Sequence, residues 1–422
     1  MKTRITIIWF LALLPFCSLR GQERLTLSLL DAERLFLERN AQLLAQRYQV
    51  EQSRADIITA KLFENPEISY ENLLYNHESG RFLETSYATG QYAASITHLF
   101  KLAGKRNKDI QAAQTATKME DYAYFDLIRT LKYELRSTYF RAFYLERSSA
   151  VYDQLIRSLR KLLDASEQQL KLGNTSTKEV VRIKSRLYSL MAEYASVQNE
   201  LTALKGQLKL LSSINADTEI AFTGAGIDPS QFNPQAFTFG LLLDSAKTNR
   251  ADLMLTKTGL TYAQHMLAVQ KARAVPDVQI SLSYDLKGNY PEKYTGLGLS
   301  IPIPLFDRNQ GEIKKARIAI EASNNEIHRK ELEVETALHS SYQSAIKITQ
   351  LYSGLDKDFA LSFNQLMEAV LKNYQERNIS LIEFLDFYDA FKENAIQLND
   401  IEFQVMNARE DINYQTGTNI FK

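Results

Sequence analysis

The chain has 422 residues, with 50 Lys and Arg against 50 Asp and Glu, so no basic excess marks it as a nucleic-acid binder. Only 16 Gly and 8 Pro punctuate that length, which argues against a loop-rich fold and for long uninterrupted elements. With one cysteine, Cys17, an intrachain disulfide framework is excluded.

Residues 1–21 read as a secretory signal. Lys2 and Arg4 form the charged start, and Ile5 to Phe16 is an apolar run too short to span a membrane as a helix. Cleavage is expected after Gly21, although Leu19 is an unusual residue at that distance from the cut. Losing Lys2, Arg4 and Arg20 leaves the mature chain slightly acidic and without cysteine or tryptophan. Cys17 raises the question of lipid attachment, but Phe16 stands where a lipoprotein signal has a small residue. No other stretch is apolar over the roughly 18 residues a membrane helix needs, so strands must do any spanning.

Residues 26–62 predict a helix, ending at Asn65-Pro66. Two short segments follow, about 67–75 and 85–100, joined through the turn His77-Glu78-Ser79-Gly80, with Tyr70, Tyr75, Tyr87 and Tyr92 in or beside them. After Gly104 a helix is expected to run to about Leu172, on the order of 100 Å at 1.5 Å per residue. Its apolar seam steps by four and three from Tyr124 through Leu135, Ala142, Tyr152 and Leu159 to Leu170, nearly seven heptads that call for a helical neighbour. Gly173-Asn174-Thr175-Ser176 breaks it as a C-cap glycine followed by N-cap residues, and a second helix returns along 177–211. Asn174-Thr175-Ser176 also fits a glycosylation acceptor, which carries little weight beside the turn. A linker, 214–235, holds Gly224, Gly226, Pro229 and Pro234.

The second half repeats the first. Asn40-Ala41-Gln42-Leu43 recurs as Arg250-Ala251-Asp252-Leu253 and Pro66 as Pro276, both 210 residues on. Leu99-Phe100 recurs as Leu305-Phe306 at 206, and Asn174-Thr175-Ser176 as Asn378-Ile379-Ser380 at 204. A slowly drifting offset with matched landmarks is the mark of an old tandem duplication. The expected organisation is a signal (1–21), a first repeat (22–213), a linker (214–235) and a second repeat (236–422). Each repeat reads helix, strand, strand, long helix, turn, helix.

The junction from strand to helix is clearest at Ile301–Ile320. From Val278 to Leu286 apolar residues alternate with Gln279, Ser281, Ser283 and Asp285, whereas Ile313, Ala316 and Ile320 fall at helical spacing. Pro302 and Pro304 close the strand because they lack a ladder N–H. Asp307 and Gln310 resemble a capping box. The expected fold is mainly α with a small β part. Four strands leave two exposed edges, and two or three chains would be needed to close a barrel. On the strands alone, a membrane barrel and an amphipathic sheet capping a bundle stand level.

PLFDRNQGE at 304–312, its partner HLFKLAGKR at 98–106, RADL at 250–253, the tandem repeat and the two helix-turn-helix landmarks together resemble the TolC-like outer membrane efflux family. PLFDRNQGE and RADL look most like its heavy-metal (cobalt–zinc–cadmium) branch. The resemblance covers nearly all of the mature chain. It implies a homotrimer with a twelve-strand transmembrane barrel and a coiled-coil periplasmic tunnel. It also implies a periplasmic adaptor and an inner-membrane pump of resistance-nodulation-division type, with outer-membrane lipid around the barrel and no cofactor. The adaptor-docking tips would be Gly173, Asn174, Ser176, Arg377, Asn378 and Ser380, and the strand-to-helix junctions Gly104, Pro304, Phe306, Asp307 and Gly311. Glu383 and Asp386, three apart and so on one helix face, match the acidic ring of the family's periplasmic gate. The family places a cation where this chain has Ile379, near an acid corresponding to Glu179.

Other functions remain in view at this point: a periplasmic coiled-coil scaffold, a duct for type I protein secretion, or an enzyme. Against the last, His77, His98, His265, His328 and His339 share no metal-ligand spacing, and no nucleophile elbow, phosphate loop or zinc-protease motif is present. Gly296 and Gly298 begin a G-x-G that Ile301 leaves unfinished, and they read as strand residues beside a close neighbour. Lys101, Lys105, Arg106 and Lys108 would either meet lipid phosphates or form a solvated helix start.

Overall fold

A computed structural model describes residues 24–224, 228–288, 291–355, 366 and 369–421. The expected signal with Cys17, and Gly226 of the expected linker, lie outside them. The order is β1 (Arg24–Leu27), α1 (Leu29–Arg39), α2 (Ala41–Lys61), β2 (Glu67–Asn72), β3 (Tyr75–Asn76), β4 (Arg81–Phe82), β5 (Tyr92–Phe100), α3 (Lys105–Lys171) and α4 (Thr177–Ser212). Then come β6 (Glu219–Phe222), two 3-10 turns, α5 (Phe239–Asn249), α6 (Ala251–Arg273), β7 (Val278–Asp285), β8 (Tyr294–Ser300), α7 (Gln310–Ser353) and α8 (Leu381–Thr416). Two compact units are formed, each from three stretches of chain.

The first unit takes Met1–Asn40, Glu134–Phe232 and Ile348–Asn407. Its core is the α3 seam packed on α4 and α8: Tyr152, Leu155, Leu159, Ile183, Leu187, Leu190, Phe384 and Tyr388 are all buried. Every seam position from Leu135 to Ser166 is buried, as a coiled-coil seam requires. The Tyr388 hydroxyl donates to the Leu155 carbonyl at 2.6 Å, which satisfies the one polar atom of a large buried ring. Where a single helix was expected over 26–62, β1 comes first and pairs in parallel with β6, a strand inside the expected linker. The buried Tyr139 hydroxyl sits 3.0 Å from the carbonyl oxygens of Leu27 and Gly224 and pins both strands. Burial pushes its pKa up to about 12.

The expected helix also breaks at Asn40, whose φ of −60° and ψ of 121° leave the helical region. Its buried side-chain amide donates to the Leu211 carbonyl at 2.9 Å. Arg250 breaks α5 from α6 with φ −70° and ψ 116°, and its guanidinium reaches the Gln415 carbonyl at 3.4 Å. Break and acceptor recur at offsets of 210 and 204, the same spacing as the matched landmarks of the sequence. The helices facing these breaks end alike, with Ser213 at φ 51° and Gly417 at φ 73°. A Cβ on Gly417 would meet the Asn249–Arg250 backbone at 3.0 Å, so only glycine fits there without a shift.

The second unit takes Ala41–Tyr133, Asn233–Lys347 and Ala408–Lys422. Its sheet has the order β2-β5-β7-β8, antiparallel throughout. Among its helices, Asp252 is the point of convergence. Its carboxylate accepts from Arg250 Nε at 3.0 Å and Nη2 at 2.6 Å, and from the Leu253 N–H at 3.0 Å. Lys330 Nζ lies 3.0 Å away and Arg129 Nη2 3.5 Å away. Arg129 in turn donates to the Tyr414 carbonyl at 2.9 Å and lies 4.1 Å over that ring. One acid thus ties α3, α6, α7 and the end of α8. Burial alone would raise its pKa, but the cations hold it well below the ordinary carboxylate range.

Asp252→Asn leaves three cations facing a neutral amide, and breaking a buried ion pair this way costs roughly 3–5 kcal/mol. We expect the loss in denaturant titrations in detergent. It is full at neutral pH and shrinks only as acid drops below the ordinary carboxylate range and through the depressed folded value.

Candidate functional site

Two places in the chain carry features that stability alone does not explain. The first is the sheet. Alternation along each strand and the register across them sort its side chains onto two faces. One line of partnered residues reads Ile68, Ile96, Leu282 and Leu297, and the adjacent line on the opposite face reads Ser69, Ser95, Ser283 and Gly296. Tyr70, Phe100, Ile280 and Leu299 share the apolar face, and Thr97, Ser281 and Gly298 the small one. The apolar side chains are open to the surroundings: Leu297 is 78% and Ile68 76% exposed.

A water-soluble antiparallel sheet buries its apolar face and wets the polar one. Here the large residues are the exposed ones. Leaving a Leu or Ile of this kind in water forgoes roughly 2 kcal/mol. Six such side chains would offset a stability of roughly 5–15 kcal/mol, so this face requires an apolar medium. Tyr70, Tyr92 and Tyr284 lie side by side across three strands, with ring centroids 6.2 and 5.9 Å apart, as an aromatic girdle would. On the small face the Tyr294 ring lies where a Cβ on Gly296 would be, 2.5 Å from it, and Ser281 Oγ crowds Gly298 in the same way. The two glycines thus serve close packing, as their spacing suggested.

At the strand-to-helix junctions, Ala103 and Gly104 both have positive φ (57° and 66°), and Asn309 repeats the first at 58°. Lys105 is neither solvated nor open to lipid. It is only 8% exposed, and its ammonium donates to Asp277 Oδ1 and the Val275 carbonyl, both at 2.6 Å. Asp307 and Gln310 do not form the expected capping box. Asp307 accepts from the Asn309 N–H at 2.8 Å, and Gln310 from the Arg308 N–H at 2.7 Å, so the chain turns twice before α7 begins. Pro304 precedes this turn, Gly311 opens the helix with free space around it, and Phe306 is 91% exposed.

The second place is the pair of helix turns. Gly173 (φ 74°) and Arg377 (φ 61°) occupy the same left-handed position, 204 residues apart. In each turn the next N–H bonds back five residues, Asn174 to Gln169 at 2.9 Å and Asn378 to Asn373 at 2.8 Å. Arg377 accepts the strain that glycine would avoid, and its guanidinium donates to the Asn174 carbonyl at 3.2 Å. Ser176 and Ser380 then cap α4 and α8, accepting from the N–H groups of Glu179 and Glu383 at 3.3 Å each.

Glu383 completes a capping box. Its carboxylate accepts from the Ser380 N–H at 2.8 Å, and the hydrogen bonds from Ser380 lower its pKa. The sequence reading placed Glu383 only on an acidic face; the pattern Ser380-x-x-Glu383 already carried the box. Asp386, one turn on, is exposed and has no ion-pair partner among the described residues, whereas Asp389 pairs with Arg186. Ile379 packs against the helical core, so the family's cation position here is filled by an apolar contact. Glu179 accepts from Thr175 Oγ1 instead. Among the described residues no group of three or more His, Cys, Asp or Glu side chains could hold a metal ion, and no helix is long and apolar enough to cross a membrane.

Residues 33–212 match the family model described as outer membrane efflux protein. The cobalt-zinc-cadmium resistance protein CzcC of Cupriavidus metallidurans is 21% identical over 279 residues, 66% of this chain and 63% of that protein. The nickel-cobalt-cadmium resistance protein NccC of Alcaligenes xylosoxydans xylosoxydans is 22% identical over 301 residues, 71% of this chain and 66% of that protein. The match thus spans less than two thirds of either relative. The CmeC outer membrane channel of Campylobacter jejuni superposes with a TM-score of 0.75 at 15% identity, covering 93% of this chain and 87% of that one. The fold is therefore that of the TolC-like channels, and the resemblance read from the motifs holds.

The capping box separates structure from charge at the second turn. Glu383→Gln keeps an acceptor for the Ser380 N–H, whereas Glu383→Ala removes it. Hydrogen exchange at the start of α8 should quicken in the alanine variant and stay near wild type in the glutamine one. Because the folded carboxylate titrates low, the wild-type turn should hold at neutral pH and loosen only in acid, below the ordinary carboxylate range.

Proposed function

We propose that this chain, which bears the outer membrane efflux match over residues 33–212 and the fold of the TolC-like channels, is one protomer of an outer-membrane exit duct. The observation that carries the proposal is the open four-stranded sheet with its large side chains facing outward. Lipid satisfies that face, and closure into a ring satisfies the backbone of β2 and β8. Three copies give the twelve strands of the family barrel, with Ser, Thr and Gly toward the lumen. Repeats at 22–213 and 236–422, joined by 214–235, would supply the tunnel helices, and the signal at 1–21 would deliver the chain to the envelope. Transport through such a duct is passive. An inner-membrane pump, of the resistance-nodulation-division type in the family, delivers cargo through a periplasmic adaptor that docks on the turns at Gly173–Ser176 and Arg377–Ser380. The two heavy-metal relatives favour metal cations as cargo. A periplasmic scaffold that never enters the membrane leaves the outward apolar face without a medium, and it is the weaker reading.

Light scattering of protein extracted from outer membranes should give a trimer. A stable, folded monomer would overturn the barrel.

Within the trimer, Glu383 and Asp386 would bring six carboxylates to one constriction, where like charges attract cations and exclude anions. Planar-bilayer recordings should therefore show a cation-selective resting channel that multivalent cations block from the side of the turns. Glu383→Gln with Asp386→Asn, which spares the capping box, should lower the cation-over-anion permeability ratio several-fold and relieve the block. Unchanged selectivity would remove these acids from the gate.

A further inference from the structure

The meeting of β5 and β7 within the chain is a pattern that the two open edges of the sheet would repeat between copies in a ring. Inside the chain, the end of β5 lies beside the start of β7, with Phe100 opposite Val278. There Asp277, directly after Pro276, accepts from the Leu102 N–H at 2.9 Å and from Lys105 Nζ at 2.6 Å. The start of β2 and the end of β8 lie at this same end of the sheet, since Glu67 partners Thr97 and Ser300 partners Gln279. Both are edge strands, and a ring of copies sets β8 of one antiparallel to β2 of the next.

The matched positions are present but unpaired. Glu67 follows Pro66 as Asp277 follows Pro276, and it is exposed with no ion pair among the described residues. The turn register of 206, fixed by the positive φ of Ala103 and Asn309, puts Arg308 at the place of Leu102 and Gly311 at that of Lys105. The helix-start cation of the internal boundary is thus missing from α7, and a cation three residues earlier replaces it. Arg308 is exposed, and among the described residues its guanidinium reaches the Leu305 carbonyl at 3.5 Å and no acid. Two residues before Arg308 stands the exposed ring of Phe306, and four before Glu67 that of Phe63, 75% exposed with the Arg106 guanidinium 4.0 Å over one face.

We infer that Arg308 of one copy pairs with Glu67 of the next, with Phe306 packing near Phe63 across the same boundary. The occupant of this surface is a second copy of the chain. The inference rests on the exit-duct reading and gives it a contact that sets which edges meet. Acid and cation stand on opposite sides of the boundary, as they do between the repeats, so head-to-tail closure places opposite charges together and edge-to-like-edge pairing does not.

The test uses the full chain extracted in detergent. Glu67→Arg and Arg308→Glu should each lower the trimer fraction about fivefold, the scale of one lost charge pair. The double reversal should recover it. Glu67→Cys with Arg308→Cys should yield disulfide-linked trimers on non-reducing gels, absent from either single variant, and this readout stands even if a charge reversal prevents insertion. A wild-type trimer in which the reversals do nothing, or in which the double variant fails to recover and the cysteine pair stays unlinked, overturns the inference alone. A wild-type monomer overturns the exit-duct reading itself.

Discussion

Every strand residue other than proline carries a donor and an acceptor that must be satisfied, and this sheet leaves two rows of them open along β2 and β8. In water such edges are blunted or wetted. Set in lipid, as the exit-duct reading places them, they would have no water, and each unsatisfied group would cost several kcal/mol. Closure is the remaining solution, and four strands are too few for it. In the exit-duct reading the quaternary structure follows from the hydrogen bonding of one sheet. Asp252 locks four helices of the same compact unit into one arrangement.

Glu383 illustrates how one side chain serves two demands. As the third residue of α8 it satisfies an orphan N–H at the helix start, and as an ionised group on an exposed face it contributes charge. The hydrogen bonds that make it a cap also lower its pKa, so the structural role keeps the charge available at neutral pH. Its repeat counterpart Glu179 bonds to a neighbouring threonine instead. The two turns thus share a backbone form, and Asp386, without an ion-pair partner among the described residues, stands beside only one of them, Arg182 taking its place 204 residues earlier.

Much of this was legible in the sequence, and the reasons are local. The α3 seam could be read because heptad spacing is a property of neighbouring residues, and both turns because glycine, asparagine and serine signal caps directly. The duplication was visible in a handful of matched landmarks. What the sequence reading missed depends on contacts between distant segments. Four residues of β1 become a strand only because β6 lies beside them, and β6 hid in a stretch whose glycines and prolines read as linker. The breaks at Asn40 and Arg250 contain neither proline nor glycine; acceptors near residues 211 and 415 hold them. Lys105 reads as a solvated helix start until Asp277, more than 170 residues away, is placed beside it. Glu383 and Asp386 lie on an exposed face, as read, but the gate proposed for them depends on copies of the chain that the sequence of one copy cannot arrange.

The line of Ser69, Ser95, Ser283 and Gly296 constrains what the protein can become. In a closed barrel the width of the bore is the backbone circle minus the side chains that project into it. Here those side chains are already close to the smallest that the genetic code offers. At Ser69, Ser95 or Ser283 any residue but alanine or glycine would narrow a bore on this side, and glycine would weaken the strand that carries it. In the exit-duct reading, variation along this line of serines can filter cargo more finely but has little room to widen the passage there.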